Sequence, residues 1–206
     1  MLDSIKNLLE NYDPKPLGNQ KEFAVFLPLF MKDGDLHVLF EVRGPSISQA
    51  GETSFPGGRI EMDETPKEAA IRETIEELKI SPESIEVFGP INYIIRDWAI
   101  VNCYVGQLHH FSLDGFVANE EVANIFSLPL SYLLNNDPTY YSINIEEHMS
   151  TDFPFERIHQ GENYKFHRQE MKVPFYHLPT DCPYQLWGMT AHLTHHFCQL
   201  ITKNKP

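Results

Sequence analysis

One stretch of this chain leaves little freedom in how it folds. Thr65 is a strong N-cap, Pro66 takes the first helical position, and Glu68 stands three residues after the cap. That is a capping box with proline placed where its missing N–H costs nothing. The spacing predicts a helix over residues 65–78. Ile71, Ile75 and Leu78 recur at i, i+4 and i+7 and are the expected apolar stripe. Glu73, Glu76 and Glu77 recur at i, i+3 and i+4, which gathers three carboxylates on another face. From 64 to 77 the acids are Glu64, Glu68, Glu73, Glu76 and Glu77, against the bases Lys67 and Arg72. Like charges at this spacing repel by a few tenths of a kcal/mol per exposed pair. A divalent cation removes that repulsion, and a hard ion such as Mg²⁺ takes oxygen ligands, waters and substrate phosphates. Taken alone, the pattern reads first as a solvated acidic face, because charge runs usually are one.

The flanking sequence alternates strand and loop signals. Residues 22–30 and 36–42 read as strands joined by the hairpin turn Lys32-Asp33-Gly34-Asp35. Residues 44–58 form a Gly/Ser/Pro-rich loop. Residues 85–95 and 99–109 are strand-like, 113–119 is loop, 121–130 is extended, and 131–134 is a helical turn. Two further strands are expected at 139–145 and 171–176. Residues 146–169 carry charges and scattered aromatics without a clean period. At the ends, residues 1–10 form an amphipathic helix through Leu2, Ile5, Leu8 and Leu9, and residues 185–201 form a closing helix. Strict βαβ alternation is absent. The expected class is α/β, with a mixed sheet covered by helices. A single domain over residues 1–206 is expected, with an N-terminal helix at about 1–12 and a C-terminal helix at about 185–203.

Composition narrows the function. The 206 residues carry 16 Lys and Arg against 29 Asp and Glu, a formal net charge of −13. That field is opposite to what nucleic acid or an anionic membrane surface requires, so neither is an expected partner. The longest apolar run, residues 23–31, is too short for a bilayer and holds Pro28. No basic segment precedes an apolar run at the start, so no secretory signal is expected. Cys103, Cys182 and Cys198 form no C-x-x-C pair, which argues against both a disulfide framework and a thiolate zinc site. The expected compartment is the reducing cytoplasm.

The acidic helix belongs to a longer pattern: Gly58, then Glu64, then Arg72-Glu73-Thr74-Ile75-Glu76-Glu77-Leu78-Lys79-Ile80. This resembles the Nudix box, G-x5-E-x7-R-E-U-x-E-E-x-G-U. Gly58, Glu64, Arg72, Glu73, Glu76 and Glu77 match six of its seven fixed positions. At about 7% per residue type, that coincides by chance roughly once in ten million registers. Lys79 replaces the box glycine, so it must take a left-handed helix cap or end the helix differently. Thr74 stands where an aliphatic residue is common. The resemblance implies a Nudix-type mixed β-sheet sandwiched between helices (α/β/α). It implies Glu73, Glu76, Glu77 and Gly58 as metal site for Mg²⁺ or Mn²⁺. It also implies Arg72, Glu76 and Glu77 as catalytic residues in hydrolysis of a nucleoside diphosphate linked to another group. Arg72 can reach back across the loop to fix Glu64.

Upstream, Leu39-Phe40-Glu41-Val42-Arg43 and Gly51-Glu52-Thr53-Ser54-Phe55-Pro56-Gly57-Gly58 resemble the second signature of the coenzyme A pyrophosphatase subfamily, L-L-T-x-R-[SA]-x3-R-x3-G-x3-F-P-G-G. Arg43 and the G-x3-F-P-G-G half match. Gly44 replaces the small Ser or Ala, the loop is one residue shorter, and Ile47 stands where a loop arginine is expected. Coenzyme A or a derivative is the implied substrate, cut to 4′-phosphopantetheine and adenosine 3′,5′-bisphosphate. Alternatives are a Nudix pyrophosphatase for ADP-ribose or another nucleoside diphosphate derivative, and a catalytically silent ligand sensor. Candidate substrate contacts are Arg43, Arg59 and Phe55, with Arg96 as a second substitute for the loop arginine. Glu121 is a candidate base or extra metal ligand. His192, His195 and His196 have metal-ligand spacing but no acidic partner beside them in sequence. The expected partner is a small-molecule nucleotide substrate. The sequence does not set the oligomeric state, and a homodimer stays open.

Overall fold

The computed structural model describes residues 1–117, 119–145, 148–166 and 169–203. Two long strands, β1 (Lys21–Lys32) and β2 (Asp35–Arg43), form an antiparallel hairpin in which Lys32 faces Asp35. Asp33 (φ 52°) and Gly34 (φ 84°) both lie in the left-handed region. That is the type I′ turn whose twist suits a two-residue hairpin. The remaining strands of the main sheet are β3 (Thr53–Ser54), β4 (Gly57–Arg59), β5 (Ile85–Ile95), β6 (Ala99–Leu108) and β7 (Val122–Pro129). The order is β3-β2-β1-β6-β5, with β4 on β1 and β7 on β2. β1 and β6 run parallel while the other pairs are antiparallel, so the sheet is mixed. The short strand β3 and the first two residues of β4 fall inside the segment read as loop. Their two- and three-residue length gives no periodic signal to read.

Each face of the sheet carries its own core. Ala24, Phe26, Phe30 and Leu39 face helix α2 (Pro66–Leu78) through Ala69, Ala70 and Leu78. Leu27, Val38, Phe40 and Val42 face the opposite layer, built on α3 (Leu130–Asn135) and α4 (Gly188–Lys203). The architecture is therefore helix, mixed sheet, helix. A second, two-stranded sheet of β8 (Thr139–Ile145) and β9 (Gln169–Phe175) packs against α4. The N-terminal helix α1 (Leu2–Glu10) forms as expected but buries no residue, and Leu2, Leu8 and Leu9 stand exposed. No helix among the described residues is long and apolar enough to cross a membrane.

The buried face of α2 differs from the expected stripe. Ala69, Ala70, Thr74, Glu77 and Leu78 are buried, whereas Ile71 and Ile75 are half-buried. The reason is steric. Small Ala69 and Ala70 let the helix lie close on β1 and β4, and that close approach carries an acid, Glu77, into the interior. Thr74 is fully buried and returns its hydroxyl hydrogen to the Ala70 carbonyl at 2.6 Å, so the polar atom is satisfied within the helix.

Candidate active site

The helix start behaves as its sequence dictates. The Thr65 hydroxyl accepts from the Glu68 N–H at 3.3 Å, and the Glu68 carboxylate accepts from the Thr65 N–H at 2.9 Å. With the start of α2 fixed, the register of its acids is fixed too. At the other end Lys79 takes φ 54°, ψ 44°, the left-handed cap that the box glycine would supply.

Arg72 is the organising cation. Its Nε and Nη2 donate to the two oxygens of Glu64 at 2.9 and 3.0 Å, a bidentate pair across the loop. Its Nη1 lies 2.9 Å from Glu73 and 3.3 Å from Glu76, and Nη2 also donates to the Arg59 carbonyl at 3.1 Å. One guanidinium thus holds three box carboxylates. These hydrogen bonds keep the Arg72 charge firmly in place and lower the Glu64 pKa below the usual carboxylate range.

The three helical acids do not share one environment. Glu73 and Glu77 lie four residues apart and face β4, while Glu76 stays exposed and meets Arg72 alone. A Cβ at Gly58 would collide with the Glu73 carboxylate, so glycine at 58 is what lets an acid sit against the strand backbone. The Gly57 N–H donates to Glu77 at 2.8 Å. A Cβ at Gly57 would itself strike the Ala24 carbonyl of β1.

Sequence reasoning missed Glu41. This residue alternates with Phe40 and Val42 on β2 and points toward α2, where it is 2% exposed. Its carboxyl meets that of Glu77, and its Oε1 has no hydrogen-bond partner among the described residues. Burial, then the nearby Glu77 charge, raises the Glu41 pKa well above normal. Glu77 is pushed up to about 7, chiefly by burial and by the charges of Glu73 and Glu121, against the Gly57 hydrogen bond. Burial also raises the Glu73 pKa, with Arg72 opposing it. The available signal was an acid inside the otherwise apolar run Val38-Leu39-Phe40-Glu41-Val42.

Glu121 precedes β7 on an exposed loop, and its charge is felt at Glu41, Glu73 and Glu77. The Gly44 N–H donates to the Glu121 carbonyl at 2.6 Å, and a Cβ at Gly44 would collide with the Glu120 carbonyl. The departure from Ser or Ala at 44 therefore has a steric cause in this chain. Asn119 fixes the same loop by accepting from the Glu121 and Val122 N–H groups at 2.8 Å.

A cavity of about 420 Å³ opens on the other side of Gly57-Gly58. The glycine backbone lines it, while the carboxylates touching that backbone lie behind the strand. Arg43, Phe55 and Arg96 line the cavity; Arg59 is exposed outside that lining. Arg43 donates from Nε to the Ser48 carbonyl at 2.8 Å, bracing the loop that replaces the expected arginine-bearing one. Phe55 is buried and stacks on Phe40 at 5.3 Å.

Can these residues hold a divalent ion? Among the described residues no three His, Cys, Asp or Glu side chains already converge on one point. The acids are turned toward Arg72 and toward each other. Yet the donors are all oxygens, Glu41 leaves one buried oxygen unpartnered, and Gly58 keeps backbone open beside Glu73. Such a set fits a hard cation once Glu41 and Glu77 lose their protons. The histidine trio reads differently. His192 Nε2 lies 3.0 Å from the Lys172 carbonyl, Tyr140 packs tilted against His192 and edge-on to His195, and Gln199 lies 2.7 Å from His195 Nε2. An acid missed by the sequence, Asp137, stands 3.7 Å from His195. The Tyr140 and Lys172 contacts seat α4 on the β8–β9 sheet.

Residues 20–125 match the family described as NUDIX domain. The chain is 29% identical to the peroxisomal coenzyme A diphosphatase NUDT7 of Mus musculus over 91% of its own length and 73% of that protein. It is 37% identical to Nudix hydrolase 3 of Caenorhabditis elegans over 54% of its own length and 48% of that protein, about half of that relative. A solved MutT/nudix family protein from Enterococcus faecalis aligns at TM-score 0.49 and 14% identity, covering 98% of this chain and 70% of that one. The domain match includes the whole capped, acid-bearing helix, its glycine pair and the Glu121 loop, and on that evidence the chain belongs to the Nudix hydrolase family.

Proposed function

We propose that this protein hydrolyses the pyrophosphate bond of coenzyme A or a derivative, giving 4′-phosphopantetheine and adenosine 3′,5′-bisphosphate. The observation that carries the reading is the cavity beside Gly57-Gly58. It continues past the box backbone into an apolar region of Phe23, Val101, Met171 and Trp187. A bare diphosphate has no use for that surface, whereas a substrate with a long, weakly polar arm does. Similarity to a coenzyme A diphosphatase across 91% of the chain supports the same substrate class. Residues 1–206 act in this proposal as one unit, in the cytoplasm; the mouse relative is named for the peroxisome.

Glu73, Glu76 and Glu77, with the Gly58 carbonyl, are the groups proposed to hold Mg²⁺ or Mn²⁺. Such ions, when bound, offset phosphate charge and make hydroxide available near neutral pH. The chain's own residues do the positioning. Arg72 is a positioning residue that fixes Glu64, Glu73 and Glu76 through one guanidinium. Gly57 aims Glu77 through its N–H. Glu77, held in place by that N–H, is also the group proposed to help activate the attacking water. Glu121 stands by as a further ligand or base from a loop.

The test is product analysis with coenzyme A, ADP-ribose and dinucleotide substrates in Mg²⁺ or Mn²⁺. The expected result is 4′-phosphopantetheine with adenosine 3′,5′-bisphosphate from coenzyme A. Preferential cleavage of ADP-ribose replaces this substrate, and binding of all substrates without turnover replaces hydrolysis with ligand sensing.

A further inference from the structure

The cavity has a second cationic end that the box does not use. Its charged lining consists of Arg43, Glu52 and Arg96, with His192 beside Arg96. The Arg43 charge acts on the buried acids Glu41 and Glu77, and its Nε braces the Ser48 carbonyl. Arg96 has a different setting. Like Arg43 it joins none of the ion pairs among the described residues, but its charge is not spent on Glu41 and Glu77. Its backbone is fixed by a tight turn: the Arg96 N–H donates to Ala99 at 2.7 Å, and the Ala99 N–H donates back at 3.3 Å. Trp98 in the same turn lines the cavity with its ring edge-on to Phe23, and its carbonyl accepts from the Lys21 N–H at 3.0 Å. A rigid turn thus presents an arginine and an exposed aromatic ring to one cavity.

Resting on the coenzyme A reading, we infer that Arg96 is the specificity-determining residue that binds a phosphate monoester on the substrate's ribose, remote from the bond that is cut. The sheet supports the spacing. Gly58 faces Ala24, Ala24 faces Asn102, and β6 pairs with β5. Gly58 and the β5 end are therefore three strand spacings apart, about 14 Å across the sheet. The long arginine side chain closes part of that gap. A ribose carrying phosphates at its 5′ and 3′ positions fills the rest, with Trp98 beside it offering a face for the base.

The charge balance agrees. In a chain of net charge −13, a dianion needs a local cation that no carboxylate has already neutralised. Arg59, the other candidate, is exposed outside the cavity lining and holds Arg72 through its carbonyl. His192 has its pKa lowered by burial first and by Arg96 as well, so it stays neutral and leaves the anion to the arginine. The first turn of α4, at Gly188 and Met189, lines the same cavity and adds favourable potential.

The experiment pairs binding with turnover. Calorimetry compares adenosine 3′,5′-bisphosphate with adenosine 5′-monophosphate on wild type, Arg96→Gln, Arg96→Lys and Arg59→Gln. The wild type is expected to bind the bisphosphate at least about tenfold more tightly, as one charge-assisted contact provides. Arg96→Gln should bring that ratio close to one, and Arg96→Lys should restore part of it. The same ratio should appear in KM, more than in kcat, for coenzyme A against dephospho-coenzyme A. Equal binding of the two nucleotides by wild type overturns the inference, as does an undiminished ratio in folded Arg96→Gln or its collapse in Arg59→Gln. A bisphosphate preference that depends on Arg96, in a protein that cleaves no coenzyme A, overturns the substrate reading and leaves Arg96 as the phosphate contact.

Discussion

At the residue scale the site is a matter of where each carboxylate is kept. Glu73 and Glu77 press against two glycines, Glu76 faces solvent, and Glu41 lies beneath. Removing charge from either inner acid weakens the proposed metal site that stabilises the transition state. Glu73→Gln and Glu77→Gln should each lower kcat by at least about 10²-fold at saturating metal, with unchanged circular dichroism. Near-normal turnover in either folded variant would refute their assignment. Glu76 is 57% exposed at its side chain and bound to Arg72 alone, so Glu76→Gln should cost less than either inner substitution. Gly58→Ala tests the same packing from the strand side. The added methyl group must displace Glu73, so metal affinity measured by titration should fall by at least about tenfold. A variant with unaltered affinity would show that Glu73 need not touch the strand.

At the element scale, the capped helix shows how much of this site was legible in advance. Thr65, Pro66 and Glu68 fixed where α2 begins, and the spacing of its acids followed. The β1–β2 hairpin was equally readable, because Asp33-Gly34 can hold two positive φ angles. Reading failed where tertiary contact decides. Which stripe of α2 is buried depends on Ala69 and Ala70 meeting β1 and β4, and no local pattern announces that. Strands β3 and β4 exist through pairing partners distant in sequence. Glu41 was hidden for a related reason: an acid in an apolar strand signals burial, but its partner Glu77 lies 36 positions away. Lys79 is the local departure that the structure leaves strained, since a Cβ is disfavoured at φ 54°. Lys79→Gly should raise unfolding free energy by about 1 kcal/mol in urea titration, less a small loss of favourable charge at the helix C-terminus. Destabilisation would mean that the lysine side chain contributes more than the cap strain removes.

At the scale of the whole molecule, the buried acids tie folding to pH. Glu77 titrates near 7 in the fold, far above an unfolded glutamate, and Glu41 is shifted in the same direction. The native state therefore holds protons that the unfolded chain has released. Stability from this source is fully present below the unfolded carboxylate range and is lost as pH rises through about 7. The metal-free protein should lose about 2–3 kcal/mol through Glu77 between pH 5 and 8. His37 and His192, whose pKa values burial lowers, act in the opposite sense, so the decisive quantity is a difference. Melting temperatures of wild type and Glu77→Gln, followed over that range without metal, should diverge as pH rises, with wild type falling further. Adding Mg²⁺ should then stabilise wild type, and more strongly at pH 8 than at pH 6, because a cation must displace the same protons. Parallel pH profiles for the two proteins would show that Glu77 is already ionised in the metal-free fold. A Mg²⁺ effect independent of pH would place the ion away from the Glu41–Glu77 pair.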